Sequence, residues 1–456
     1  MPFTFVKVLS LENEKKNLFS FCFFLANSYL CTMNINEKTW KFIREHADDD
    51  VRKFALLGTK DPEVNLKMAL QQIAGWQTAR RKLPAWAKVE SIIYPPHLNM
   101  EQCSSEQTAR FKAELVMDDG CSPLDDSIKF VDLTGGFGVD FYWIAKAISQ
   151  QPLPTTQHLI YIEQNEALCD IAQHNFAQLG LNCTVCCCDT TTYITKMPHA
   201  SLVFLDPARR NEHGGRTYGI ADCSPNILEL LPTLMKKTDR VLLKLSPMLD
   251  WRKAVDDLTR QSAQVNSVHI VSVDNECKEL MIQMRKDAVD ALQVVCVNLL
   301  SNGERQIFET VGGQSQCITQ TLGSPCQPNS QFSILNSQFL YEPNTSIMKA
   351  GCFAELEQRF PISQIAHNSH LFLSTDNIES FPGRKFEIHA ISSMNKKDIN
   401  QKLTSVESAN IAVRNFPMSA DQLRNKLKLK DGGNTYIFAT TLSDGEHKLF
   451  ICRKIG

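Results

Sequence analysis

The stretch Phe130–Asp140, FVDLTGGFGVD, decides how the rest of the chain is read. An apolar run ends in Asp132, a glycine-rich turn comes next, and FYWIAKAI continues at helical spacing. The expected order is strand, turn, helix, the opening of a nucleotide-binding α/β unit. Gly135, Gly136 and Gly138 let the backbone bend sharply and lie against a ligand, because no Cβ stands in the way. Asp132, at the strand tip, is placed to accept a hydrogen bond from a ligand amine or hydroxyl.

A glycine turn by itself also fits a bare strand-to-helix connection. The next strand narrows the choice. HLIYIEQNEAL reads as a second buried strand ending in Glu163, 25 residues past Gly138. An acid roughly 20 residues beyond the glycines accepts ribose hydroxyls in dinucleotide and adenosyl sites. The pyrophosphate spacing G-x-G-x-x-G is absent, and so is the P-loop G-K-[ST]. A ligand with adenosine and no phosphate fits better, which points to S-adenosylmethionine.

The alternation continues. ALCDIAQHNFAQLG is helical and stops at Gly180, and NCTVCCCD is a third strand ending in Asp189, an acid placed for an adenine amino group. ASLVFLDPARR is a fourth strand that runs into Asp206-Pro207. Ile227 to Lys237 is a helix, and RVLLKLSP is a fifth strand. SVHIVSV pairs with ELMIQM across DNECK as a β-hairpin. The pattern predicts an α/β fold with a seven-stranded, doubly wound, Rossmann-like sheet. Ligands of such sheets sit beyond the carboxyl ends of the strands. Asp132, Glu163, Asp189 and Asp206 all lie at such ends.

The 456 residues suffice for two to four domains, with 43% apolar and 21% charged content, as in ordinary globular proteins. A net charge of −2 excludes a global basic field, so nucleic-acid contact must rest on local patches. The 16 cysteines show no regular framework and read as reduced thiols of a cytoplasmic protein, with neither disulfides nor a zinc site. Leu18–Cys31 is an apolar run behind Lys15 and Lys16, too short to span a membrane and similar to a signal-peptide core. The cysteine content weighs against export. Met33 opens an amphipathic helix, so residues 1–32 are expected to be a non-native or disordered extension.

Residues 33–118 read as a helical lobe, with Asn36, Asp61-Pro62 and Ser104 or Ser105 as helix starts. Arg80, Arg81 and Lys82, flanked by Trp76 and Trp86, are either a solvated helix end or a phosphate contact beside stacking aromatics. Residues 119–287 hold the sheet. Residues 288–380 contain the β-like runs QVVCVNLL and RQIFETV, a polar loop over 312–330 and a helix after Asn344, and read as a linker or ferredoxin-like α+β domain. Residues 381–456 form a small α+β module. Its helix, SADQLRNKLKLK, is capped by Ser419, with Gly432 and Gly433 in the turn after it. Arg424, Lys426, Lys428 and Lys430 are basic positions there, and from 401 onward nine Lys/Arg face five Asp/Glu. That face is either merely solvated or an RNA-phosphate patch.

Together these motifs resemble a class I S-adenosylmethionine-dependent methyltransferase over roughly residues 120–285. EQCSSEQTARFK, FLYEPNTSIMKAG and RNFPMSADQLRNKLKLKDGG resemble bacterial methyltransferases with a C-terminal THUMP-like domain, regarded as candidate RNA methyltransferases. The resemblance implies that Asp132, Thr134, Gly135, Gly136 and Gly138 hold the methionine end of the cofactor. Glu163 would hold the ribose, and Asp189 would face the adenine. Asp206, Pro207, Ala208 and Arg209 would occupy the catalytic position, with Asp206 also bordering the cofactor. Amino-directed relatives read Asp/Asn-Pro-Pro followed by an aromatic. Here Ala208 and Arg209 depart from that pattern. Arg209 and Arg210 would hold a phosphate, shape the loop, or pair with a neighbouring carboxylate. The uracil C5 route needs a cysteine near Lys244-Leu245-Ser246-Pro247, where none stands, so it would require Cys223 or Cys277 to fold in.

The implied activity is direct in-line methylation of a base in structured RNA, rRNA or tRNA, with neither DNA nor membrane as partner. No metal is called for, because the sulfonium is already activated. A methyltransferase acting on protein or a small molecule, and a non-catalytic RNA-binding protein of the same fold, are the alternatives. A dinucleotide oxidoreductase lacks its phosphate fingerprint.

Overall fold

The computed structural model describes residues 35–59, 61–118, 128–150, 159–209, 219–286, 291–312 and 337–455. The expected extension over residues 1–32 and the polar loop beyond Gly312 lie outside the described residues. By contacts the chain forms two compact units. One comprises residues 1–245, 252–265 and 282–288, and the other residues 246–251, 266–281 and 289–456.

The first unit opens with helices α1 (Glu37–Glu45), α2 (Val51–Leu57), α3 (Leu66–Lys82), α4 (His97–Gln102) and α5 (Glu106–Asp118). Asn36 caps α1 as expected, its side chain accepting from the Thr39 amide at 2.8 Å. Helix α3 starts later than expected. Asn65, not Asp61, is its cap and accepts from the Met68 amide at 3.1 Å. Asp61 instead closes a tight turn by accepting from the Glu63 amide at 2.9 Å, a local bond that competes with helix entry. Ser105 caps α5, accepting from the Thr108 amide at 3.2 Å.

Strand β1 (Ile128–Asp132) leads through the glycine turn into α6 (Val139–Ser149), and β2 (Leu159–Glu163) into α7 (Glu166–Gln178). Then come β3 (Thr184–Cys187), α8 (Thr190–Lys196), β4 (Ala200–Leu205), β5 (Ala208–Arg209), β6 (Cys223–Ser224), α9 (Ile227–Lys237) and β7 (Thr238–Leu245). Strand β1 pairs in parallel with β2 and β4, β2 with β3, and β4 with β7. Phe130, Val131, Val203, Phe204, Leu242 and Leu243 are all buried, so neighbouring positions on both faces are covered, as parallel strands require. Helix α7 anchors the lobe to this layer. Buried Asn175 bonds both the N–H and the C=O of Ile93, each at 2.9 Å, which fixes residues 91–93 against the helix.

Helix α10 (Trp251–Arg260), β8 (Gln264–Val273), β9 (Glu276–Arg285), β10 (Leu292–Leu299) and β11 (Arg305–Gly312) come after it in the chain. The hydrogen-bonded strand order is β3-β2-β1-β4-β7-β9-β8-β10-β11. The seven expected strands are present. The runs QVVCVNLL and RQIFETV add β10 and β11 to the same ladder, making it nine-stranded.

The second unit ends in β12 (Phe339–Pro343), α11 (Thr345–Ala350), α12 (Phe353–Arg359), β13 (Ser363–Gln364), β14 (Phe372–Ser374), β15 (Gly383–Ser393), α13 (Lys396–Lys402), β16 (Ser408–Arg414), α14 (Ala420–Leu427), β17 (Lys430–Thr441) and β18 (His447–Ile455). Their sheet order is β13-β14-β12-β15-β18-β17-β16. Strand alternation splits its core in two: Phe438 and Phe450 join Leu340 and Phe386, while Ile437, Leu449 and Ile451 pack with Leu423 of α14. Gly432 and Gly433 belong to β17 rather than to a turn. At φ +92° and +81° they form a bulge where the register jumps from Ala409–Asp431 to Asn410–Tyr436. No helix among the described residues is long and apolar enough to cross a membrane.

Candidate active site

The three glycines of the β1–α6 turn divide by role. A Cβ on Gly135 would stand 2.1 Å from the Tyr161 ring, and one on Gly138 would stand 2.6 Å from the Phe176 ring. Those two are glycines because aromatic rings of β2 and α7 lean on the backbone. Gly136, at φ +58°, has only a carbonyl oxygen at 3.9 Å near that position, so it is the glycine that faces open space. Its N–H donates to Glu163 Oε2 at 2.9 Å, and its carbonyl accepts from the Tyr161 hydroxyl. The Asn165 amide donates to Glu163 Oε1 at 2.8 Å, so the β2 acid is held by backbone on both oxygens.

Asp132 is buried, and its Oδ1 accepts from the Thr134 amide at 2.9 Å. Burial pushes its carboxyl well above the usual range. The Thr134 amide opposes this, and the nearby Asp140, Asp206 and Glu163 reinforce it. Thr134 Oγ1 accepts from the Asp206 amide at 2.6 Å and thereby ties the tips of β1 and β4 together. Asp189 is exposed and caps α8, accepting from the Thr192 amide at 2.9 Å and from the Thr191 hydroxyl, all on Oδ1. The Thr191 bond leads in holding its carboxyl below the usual value.

Behind Asp206 stands a chain of charges that no sequence motif announces. Lys244 Nζ, at the end of β7, lies 2.6 Å from Asp206 Oδ2 and 3.3 Å from Asp140 Oδ2. Asp140 Oδ1 lies 3.2 Å from Lys112 Nζ, and the Ser104 hydroxyl donates to Asp140 Oδ2 at 2.8 Å. Lys112 is fully buried, while the Asp206 side chain keeps 37% exposure, so the chain opens outward at Asp206. Burial pushes the Asp140 carboxyl up, but Lys112, Lys244 and Ser104 outweigh it and hold it below the usual range. A signal existed: Lys112 falls among Ala109, Phe111, Ala113 and Val116 on the buried face of α5, where an unpartnered lysine does not belong.

Past Asp206 and Pro207, Ala208 pairs with Ser224 and Arg209 with Cys223 in the two-stranded β5–β6 ladder. The Arg209 side chain and Arg210 lie outside the described residues. Cys183 and Cys186 stand at Cys-x-x-Cys spacing. Among the described residues, however, no group of three or more His, Cys, Asp or Glu comes together to hold a metal. Burial pushes the Cys183 thiol up to about 12.

A family model described as THUMP domain-like matches residues 383–454, and one described as a ferredoxin-like domain matches residues 339–382. A solved chain from Porphyromonas gingivalis W83, a candidate methyltransferase, is 28% identical, with 92% of this chain and 98% of that chain covered and a TM-score of 0.73. This is a methyltransferase fold with a C-terminal THUMP-like domain. Two further solved chains match at lower similarity. A candidate class I S-adenosylmethionine-dependent methyltransferase from Listeria monocytogenes is 9% identical, covering 57% of this chain and 93% of that one, with a TM-score of 0.38. M. capricolum TrmK with S-adenosyl-homocysteine is 12% identical, covering 40% and 68%, with a TM-score of 0.29. No curated protein matches the sequence.

In the THUMP-like domain, Arg424 is tied to Asp421 at 3.0 Å and to Asp431. Lys426, Lys428 and Lys430 are exposed. Arg384 and Arg414 of this domain grip the buried Glu342 of the ferredoxin-like match, Arg414 at 2.7 Å. In the helical lobe of the methyltransferase fold, Arg80 pairs with Asp48 at 2.6 Å and lies 4.3 Å over the Trp76 ring. Lys82 donates to the Met100 and Glu101 carbonyls at the end of α4. Arg81 is exposed. Arg80, Lys82 and Arg424 are thus engaged within the protein, while the other four basic positions face solvent.

Proposed function

We propose that the protein is a class I S-adenosylmethionine-dependent methyltransferase that modifies a base of structured RNA, rRNA or tRNA, by direct in-line transfer. The observation that carries this is the convergence of Asp132, Glu163 and Asp206 at neighbouring strand tips. Two backbone links join them, Gly136 N–H to Glu163 and Asp206 N–H to Thr134.

The residues suit the cofactor. Glu163, already ordered by two amides, has lone pairs left for vicinal ribose hydroxyls. Asp132, buried beside other acids, is an acceptor that a ligand ammonium would relieve. The open side of Gly136 admits a ligand against the backbone. Asp189 would border the adenine from the start of α8. When bound, S-adenosylmethionine supplies a sulfonium-activated methyl group. Asp206, steadied by Thr134 and Lys244, would orient the acceptor atom, and most of the effect would come from positioning.

The THUMP-like match supports RNA as the partner. Lys426, Lys428, Lys430 and Arg81 would touch phosphates. On this reading residues 33–118, 119–287, 288–380 and 381–456 act as helical lobe, catalytic domain, ferredoxin-like domain and RNA-gripping domain of a cytoplasmic enzyme. The test offers radiolabelled S-adenosylmethionine with total RNA, and separately with total protein, from cells lacking the gene, with Asp206→Ala alongside. Label in one RNA size class, absent with the variant, is expected. Label in protein, or in neither pool, would overturn RNA as the substrate.

A further inference from the structure

Resting on that reading, we infer that Tyr161 is a positioning residue for the cofactor. Its hydroxyl holds the Gly136 carbonyl, and the turn so fixed presents Glu163 to the ribose before any ligand arrives.

The glycine turn cannot fix its own shape. Gly135, Gly136 and Gly138 carry no side chains to pack, and glycine backbone moves freely among conformations closed to other residues. Strand β2 supplies the constraint through consecutive residues. The Tyr161 hydroxyl donates to the Gly136 carbonyl, the Ile162 carbonyl accepts from the Gly135 amide at 2.8 Å, and Glu163 Oε2 accepts from the Gly136 amide at 2.9 Å. Side chains two apart on a strand share a face, so Tyr161 and Glu163 reach the turn from the same side. Between them they hold both polar groups of Gly136, the glycine that faces open space.

The hydroxyl is itself firmly held. The Tyr161 ring is fully buried and stands edge-on to Phe141 at 5.5 Å and to Phe176 at 5.4 Å. It fills the space that a Cβ on Gly135 would need. Burial, and then the nearby Glu163, Cys169, Asp132 and Cys183, push its phenol well above the usual value. Tyr161 therefore remains an O–H donor throughout the neutral range.

Loss of the hydroxyl alone would spare the ring packing and release the carbonyl. The Gly136 peptide would then be free to turn. Glu163 would keep one firm backbone anchor, the Asn165 amide at 2.8 Å, in place of two. The ligand would have to order the acid as it binds, and that ordering subtracts from its affinity. A carboxylate held by one donor still accepts a ribose hydroxyl, so the effect is graded rather than absolute.

The test is titration calorimetry with S-adenosylhomocysteine on the wild-type protein, Tyr161→Phe, Glu163→Ala and the double variant, each checked for fold by its ligand-free melting curve. Tyr161→Phe is expected to weaken binding about fivefold, the worth of one net hydrogen bond. In the Glu163→Ala background the same change is expected to cost less than about twofold, because the acid it positions is gone. An equal or larger loss there, or no loss in the wild-type background, would overturn the inference and leave the cofactor assignment standing. No binding to the wild-type protein would overturn the cofactor reading and this inference with it. A second readout needs no variant: amide hydrogen exchange of the ligand-free wild-type protein. The Gly136 amide is expected to be protected before ligand is added, because its bond to Glu163 is already made. Exchange there at the rate of an unstructured glycine, with protection only after S-adenosylhomocysteine is added, would overturn the inference.

Discussion

Lys112 Nζ stands 3.2 Å from Asp140 Oδ1 with its whole side chain buried, and Asp140 in turn meets the lysine that holds Asp206. The helical lobe thus supplies a counter-charge to the outermost acid of the sheet through two intermediates. A buried pair broken on one side leaves an uncompensated charge, which is far more damaging than losing both partners. Lys112→Met is expected to destabilise the protein by about 3 kcal/mol or more. Asp140 sits below its usual range in the folded state, so its stabilisation is present above the unfolded value of about 3.9 and is lost as pH falls through the folded value. The variant should therefore lose part of the acid-side stability limb, read from melting temperatures between about pH 2 and pH 5. Identical pH profiles would show that the pair contributes nothing.

Asp132 has the opposite sign. Burial and the neighbouring acids raise its carboxyl well above the usual value. Its favourable contribution is present below about pH 3.9 and disappears as pH rises through the folded value, so above that point ionised Asp132 burdens the cofactor-free fold. Asp132→Asn is expected to raise stability at pH 8 by roughly 0.5–2 kcal/mol and to weaken cofactor binding, a trade typical of functional acids. The gain should shrink toward pH 5. Urea unfolding at both pH values, with an S-adenosylhomocysteine titration, checks the pair of effects. Lower stability at pH 8 with unchanged affinity would contradict the account of Asp132.

The glycines of the β1–α6 turn should separate by mutation. Gly135→Ala drives a methyl into the Tyr161 ring at 2.1 Å and is expected to cost up to about 3 kcal/mol. Gly136→Ala meets no ring, and only its left-handed φ of +58° opposes it, for about 1–2 kcal/mol. Denaturant midpoints rank the two, and the reverse order would refute the division of roles.

Glu342 is buried between two half-exposed arginines, Arg384 and Arg414. Glu342→Gln keeps the shape and removes the charge both need. A loss of roughly 1–3 kcal/mol is expected, the upper end being reduced by the solvent that reaches both guanidiniums. Calorimetric melting reads it. An unchanged thermogram would mean the cluster is not a structural clamp.

The acids at strand tips were legible because a buried parallel strand leaves a simple mark, an apolar run ending in one polar residue. Asp132, Glu163, Asp189 and Asp206 all carry it. The links among Lys112, Asp140 and Lys244 were not, because the partners lie 28 to 104 residues apart along the chain, beyond any periodicity, although Lys112 itself stands out on an apolar helix face. Local competition explains smaller differences. Asp61 closes a turn and leaves the α3 cap to Asn65, and Gly432 and Gly433 serve a bulge rather than a turn. Charge runs were least informative. Arg80, Lys82 and Arg424 read as a surface, yet each is tied to groups of its own domain.

The most direct measurement is isothermal titration of the purified protein with S-adenosylhomocysteine, beside Glu163→Gln and with NAD as the control ligand. One site per chain is expected, with affinity roughly tenfold weaker in the variant, about 1.4 kcal/mol, and no heat from NAD. Absence of binding to the wild-type protein, or equal binding by the variant, would contradict the assignment of this site.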